Sequence, residues 1–277
     1  MDFFKDFDLK RKKHMPIFPK ASGHHTTRIE GYPSEDDIPM AATGFHGEQI
    51  ITLYHQLNLY FEANRLVYVG VDSFVYYREG DASKVVTPNI YVVPGVEKSP
   101  QRYSFYTWAE EAVPAVVFKF PTDETTIGER AEMIHEYLID IGVQECFFHQ
   151  PAGDRPPEFH GWRRSPSGKI KEIIPDAQGG LLSQALNLWL RWTLGHDNVR
   201  LLRIYFPDGT PIPTSQEIHE EYERLHPEYA ASRAKHIEVT VSKHLSPNGK
   251  CHHFATLNAS HVILSVTKDL NVMKDLA

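Results

Sequence analysis

The chain lacks most of the features by which a sequence announces its chemistry. Two cysteines, Cys146 and Cys251, occur in 277 residues. That rules against a disulfide framework or a cysteine-rich zinc site and points to a reducing, cytoplasmic setting. No apolar run approaches the roughly 20 residues of a membrane-spanning helix, so no membrane segment is expected. Residues 1–20 mix Phe, Asp and Lys without a central apolar stretch, unlike a secretory leader. Neither a glycine-rich phosphate loop nor a Gly-x-Ser-x-Gly elbow is present. Positive charge is also scarce, with 29 Lys and Arg against 36 Asp and Glu, a net charge of −7. Residues 1–30 hold seven cations against four acids, so the rest carries about −10, a poor match for a phosphate backbone.

What is present is a hydrophobic pattern sufficient for one large core. Ile50, Leu53, Tyr54, Leu57 and Phe61 form one apolar stripe and predict a helix from about His46 to Asn64. Apolar runs at Leu66–Val71, Ser73–Tyr77 and Ala115–Phe120 read as strands. Between the second and third lies Tyr76–Val93: a short strand, a polar turn around Gly80 and Asp81, and a β-branched strand opening after Pro88. Asn89 is the one amide in the run Asn-Ile-Tyr-Val-Val. A second helix is expected over Ile127–Ile141, with Ile127, Ala131, Ile134, Leu138 and Ile141 on one face and Gly142 as its C-cap. The strand Gln144–His149 completes a mixed α/β (α+β) arrangement, a mixed sheet flanked by helices. Shorter strands follow at Phe159–Arg163, Lys169–Ile174 and Arg200–Phe206, with an apolar segment at Leu181–Leu194.

The expected organisation is an N-terminal extension (1–30), a domain over 31–213 and a helical or irregular tail (214–277). The run Lys10-Arg11-Lys12-Lys13 reads as a solvated arm. A charged helix is expected within Gln216–Lys235, broken near Pro227. The 16 histidines are mostly isolated, and the clusters His24-His25 and Cys251-His252-His253 have no second cluster at zinc-binding spacing.

Four stretches carry a resemblance. They are Tyr76-Tyr77-Arg78-Glu79-Gly80-Asp81 with Val86-Thr87-Pro88-Asn89, Gly142-Val143-Gln144-Glu145, Pro175-Asp176-Ala177-Gln178-Gly179, and Tyr205-Phe206-Pro207-Asp208-Gly209-Thr210-Pro211. In order and spacing, residues from about Tyr32 to Glu217 resemble the Uma-type family of proposed bacterial restriction endonucleases, part of the PD-(D/E)xK nuclease superfamily. The resemblance implies a restriction-endonuclease-like core and Mg²⁺-dependent hydrolysis of DNA, with carboxylates holding the metal and a lysine stabilising developing charge. It also implies site positions, and this chain departs from the pattern at each. The first acid falls on Asn89 and the second on Lys119. The lysine falls on Ile134 or, with an extra helical turn, on Arg130. A further aspartate falls on Gln150.

These departures lead to an expectation of a catalytically inactive, nuclease-like binding or structural protein without a cofactor, partnered by another protein or by its own copies. The competing expectation is an active Mg²⁺-dependent endonuclease with relocated ligands, Asp123 and Glu124 first among them, with Asp72 and Glu145 as further acids flanking strands. Lys119 itself either points outward or pairs with Glu79 or Glu145, or else forms a small anion site with Arg130.

Overall fold

The computed structural model describes residues 3–34, 44–121, 127–152, 156–195 and 199–229. The chain divides into two units, Met1–Ile218 and His219–Ala277.

The central strands of the large sheet are built from runs that are apolar on both faces, as strands covered on two sides must be, while the outer two carry polar and exposed residues. Strands β1 (Val67–Val71), β2 (Val75–Tyr76), β3 (Val85–Val86), β4 (Ile90–Pro94), β5 (Phe105–Tyr106), β6 (Val116–Lys119) and β7 (Glu145–His149) are followed by β8 (Phe159–Arg164) and β9 (Ile170–Glu172). Six of them form one mixed sheet in the order β1-β4-β6-β7-β8-β9. All neighbours are antiparallel except β6 and β7. A parallel pair needs a crossover, supplied by helix α4 (Ile127–His135) and a π-helical turn, Glu136–Ile141. Strands β3-β2-β5 form a small separate sheet.

Alternation along the strands divides the core in two. Val67, Val69, Ile90, Val92, Val116, Phe118 and Phe147 face Ile50, Leu53 and Leu57 of helix α2 (Gly44–Tyr60). Tyr68, Tyr91, Val93, Val117, Cys146 and Phe148 face Tyr137, Leu138 and Ile141. The expected α+β arrangement, a mixed sheet with a helix on each face, is therefore present. The stripe expected on the second helix holds only at its C-terminal end. Ile127 is 87% exposed and Ala131 is exposed, while Tyr137 joins the core. The wider π-turn resets which side chains point inward. Gly142 closes it at φ 89°, its N–H reaching the Tyr137 carbonyl.

The apolar segment Leu181–Leu194 is a hairpin, β10 (Leu181–Ser183) and β11 (Leu188–Leu194), completed by β12 (Arg200–Tyr205). Gln49 of α2 donates to and accepts from the Leu202 backbone (3.1 and 2.6 Å) and joins this sheet to the helix. Helix α5 (Ser215–Leu225) opens on a capping box: Thr214 Oγ1 accepts from the Glu217 N–H, and Glu217 Oε2 accepts from the Thr214 N–H.

The N-terminal residues are not the solvated extension expected from their composition. Helix α1 (Phe3–His14) sets Phe7 against the core, and Met15 and Phe18 follow. Arg11 is buried, reaching the Leu59 carbonyl, Asp8 and Glu62. Lys10 bonds Thr210 and pairs with Asp208. Amphipathic stems and specific partners keep these cations on the protein. The chain then runs as a strap bonded to the Gly95 and Ala109 carbonyls and to Glu110. A Cβ on Gly23 would lie 1.9 Å from the Glu110 backbone, so only glycine fits. Glu110 is itself buried in a bidentate pair with Arg102.

Candidate functional site

The C-terminal ends of β1 and β6, the start of β4 and the N-terminal turn of α2 meet at one end of the large sheet. β1 stops at Asp72, whose φ of 37° turns the chain out of the strand. That left-handed region is one that Asp tolerates better than most residues. β4 begins after Pro88, where Asn89 bridges its neighbours: its N–H donates to the Phe118 carbonyl (3.1 Å), and its carbonyl accepts from the Asp72 N–H (3.0 Å).

The Asn89 side chain forms the buried floor of the site, 7% exposed. Its Oδ1 accepts from the Phe120 N–H (2.8 Å). Its Nδ2 donates to Asp72 Oδ1 (3.0 Å) and to His46 Nε2 (3.1 Å). An amide NH₂ only donates, so His46 Nε2 is the acceptor and the neutral ring carries its proton on Nδ1. His46 also packs edge-on against Phe120, ring centroids 6.0 Å apart. Lys119, half-buried at the end of β6, donates to the Thr87 carbonyl (2.8 Å).

The electrostatics follow from partial burial. Desolvation holds His46 below its ordinary pKa, with the Asp72 charge opposing and the Lys119 charge reinforcing. It lifts the Asp72 carboxyl above the ordinary carboxylate range, against the Asn89 hydrogen bond and the His46 and Lys119 charges. It also lowers Lys119, opposed by Asp72. A magnesium ion needs several oxygen ligands in near-octahedral geometry. Among the described residues one carboxylate, Asp72, lies beside an ammonium and an amide whose NH₂ protons are both donated, and this set does not fit it. Among the described residues no three His, Cys, Asp or Glu side chains cluster closely enough to hold a metal ion.

The other positions read from the sequence lie elsewhere. Arg130 pairs with Glu158. Ile134 packs against the core on the α4 face. Gln150, buried past the end of β7, donates its N–H to the Glu158 carbonyl and accepts from the Ala152 N–H through Oε1. Asp123 and Glu124 lie outside the described residues. Glu145, a partner considered for Lys119, is held instead by Arg163 and Ser183.

No family model matches the chain, and no curated protein matches it. Among solved structures it is similar to a proposed nuclease of the DUF820 family from Anabaena variabilis. The two share 16% identity over 50% of this chain and 73% of that one, with a TM-score of 0.37. At that level the sheet order and the β6–α4–β7 crossover, rather than the match, define the fold.

His46 and the hydrogen bond from Asn89 to Asp72 escaped the sequence reading, which had Asp72 only among the acids flanking strands. An isolated histidine at the start of a helix carries no motif. Asp72 stands out only as an acid ending an apolar strand, and its convergence with Asn89 depends on the pairing of β1 with β4.

Proposed function

We propose that this chain is a nuclease-like protein without metal-dependent catalysis, which acts as a binding or structural component in the cytoplasm and is partnered by another protein or by a second copy of itself. The observation that carries the reading is Asn89. At the strand position where the resemblance implies a metal-binding acid stands a neutral amide, with both its oxygen and its NH₂ engaged by Phe120, Asp72 and His46. Lys119 reinforces it, because an ammonium beside the Asp72 carboxylate repels a divalent cation. The negative net charge favours a protein partner over DNA.

A second reading, Mg²⁺-dependent endonuclease activity with relocated ligands, draws on Asp72, a carboxylate in contact with Asn89, together with Asp123 and Glu124. Calorimetric titration with Mg²⁺ and Mn²⁺, run beside a plasmid-nicking assay, separates the two. The first reading expects no metal-dependent nicking. Nicking that needs the metal and disappears in Asp72→Asn, Asp123→Asn or Glu124→Gln would establish the second and overturn the first.

A further inference from the structure

At the other end of the parallel pair, away from Asn89, the outer strands and the β10–β11 hairpin line an open cleft of about 750 Å³. Its size is that of a small-molecule site. Glu145, Arg163 and Lys171 stand directly opposite one another on β7, β8 and β9, so their side chains share one face of the sheet. The Glu145 carboxylate, 1% exposed, is already saturated. It accepts from Arg163 Nε (2.6 Å), Ser183 Oγ (2.6 Å) and the Gln184 and Ala185 N–H groups (3.0 and 3.4 Å). Arg163 also reaches the Leu182 carbonyl (2.8 Å).

Lys171 therefore faces a cation across the strand, about 5 Å away at the Cβ atoms, and has no hydrogen bond or ion pair among the described residues. Arg163 is already ion-paired with Glu145, so the unmatched charge of this row is that of Lys171. Glu172 offers no relief, since its carboxylate is turned to His160 (3.3 Å). Arg164, which also lines the cleft, donates to the Gly142 carbonyl and leaves its buried Nε without a partner. The wall is flat and apolar at Trp189, whose indole lies under the Arg191 guanidinium (5.0 Å).

We propose that this cleft binds a phosphate ester whose other end is a planar aromatic ring, the chemistry of a nucleoside monophosphate, free or at the end of a strand. The phosphate pairs with Lys171, whose charge Glu145 leaves unmatched because its carboxylate is taken up by Arg163, and the ring packs on Trp189. The site is independent of the Asn89 site, so either assignment can fail alone.

The test is calorimetry and tryptophan fluorescence on the full chain with adenosine 5′-monophosphate, adenosine, inorganic phosphate and a short 5′-phosphorylated oligonucleotide. The monophosphate should bind more tightly than adenosine or phosphate. Lys171→Glu, at an exposed position, should weaken it about tenfold or more, the scale of one charge-assisted hydrogen bond. Trp189→Leu should bring the monophosphate down to the affinity of phosphate, with circular dichroism checking that each variant is folded. Tighter binding of the oligonucleotide would identify a strand end as the ligand, and weaker binding a free nucleotide. Absence of monophosphate binding, an unchanged affinity in Lys171→Glu, or equal affinity for inorganic phosphate would overturn the proposal.

Discussion

Asn89 and His149 carry opposite lessons about polar residues inside a core. Asn89 is buried because its amide satisfies three neighbours, and its environment rather than its residue type makes it central. His149 is buried with its Nε2 donating to the Arg200 carbonyl (2.7 Å) and Nδ1 without a partner. Burial pushes its pKa down to about 4. The folded pKa lies below the ordinary 6.5, so between those values the unfolded chain takes up a proton that the native state refuses. Stability is therefore unaffected above pH 6.5 and falls as pH drops toward 4. The loss approaches roughly 3 kcal/mol. Urea denaturation of wild type and His149→Phe across this range should show the difference between them shrinking, or reversing, as pH falls. A constant difference would mean that His149 titrates normally.

Among the elements, the second helix shows how local geometry overrides a regular pattern. Its apolar spacing reads as a uniform α-helix, yet the last six residues open into a π-turn, and Tyr137, Leu138 and Ile141 become the inward face. Gly142 is needed for its conformation rather than for space. A Cβ there would meet only Arg164 Nη2 at 3.7 Å, ordinary contact, while the φ of 89° penalises any L side chain. Gly142→Ala should cost about 1 kcal/mol, entirely as backbone strain. An equilibrium denaturation curve displaced by much more would point to a clash instead. Helix α1 makes a related point, because a basic segment that looks detachable supplies Phe7 and the buried Arg11.

Across the whole molecule, Glu145 is the joint between the two larger sheets. One carboxylate at the start of β7 gathers donors from β8, from the end of β10 and from the turn that follows it. Such a buried ion pair adds little net stability over an apolar substitute, but removing one partner leaves a stranded charge. Glu145→Gln should cost about 3 kcal/mol. Glu97→Gln serves as the control: its pair with Lys20 is exposed on both sides, and its loss should cost less than about 1 kcal/mol. Chemical denaturation of the two variants checks the ranking, and equal effects would refute the role given to Glu145.

Apolar spacing alone made the central helix and the buried strands of the sheet legible, because that spacing depends on burial, whereas helix α1, the β10–β11 hairpin and the π-turn were not legible in it. Ile50 to Phe61 marks one helix, and the β-branched runs of Val67–Val71, Ile90–Val93 and Val116–Phe118 mark strands covered on both faces. It also marked Asn89 as an anomaly in an apolar strand. Strand order set the rest: β1 lies beside β4, so Asp72 and His46 close on Asn89, and Lys171 stands opposite Arg163. Those meetings depend on strand order and register, which join residues far apart in the chain and leave no trace in local spacing.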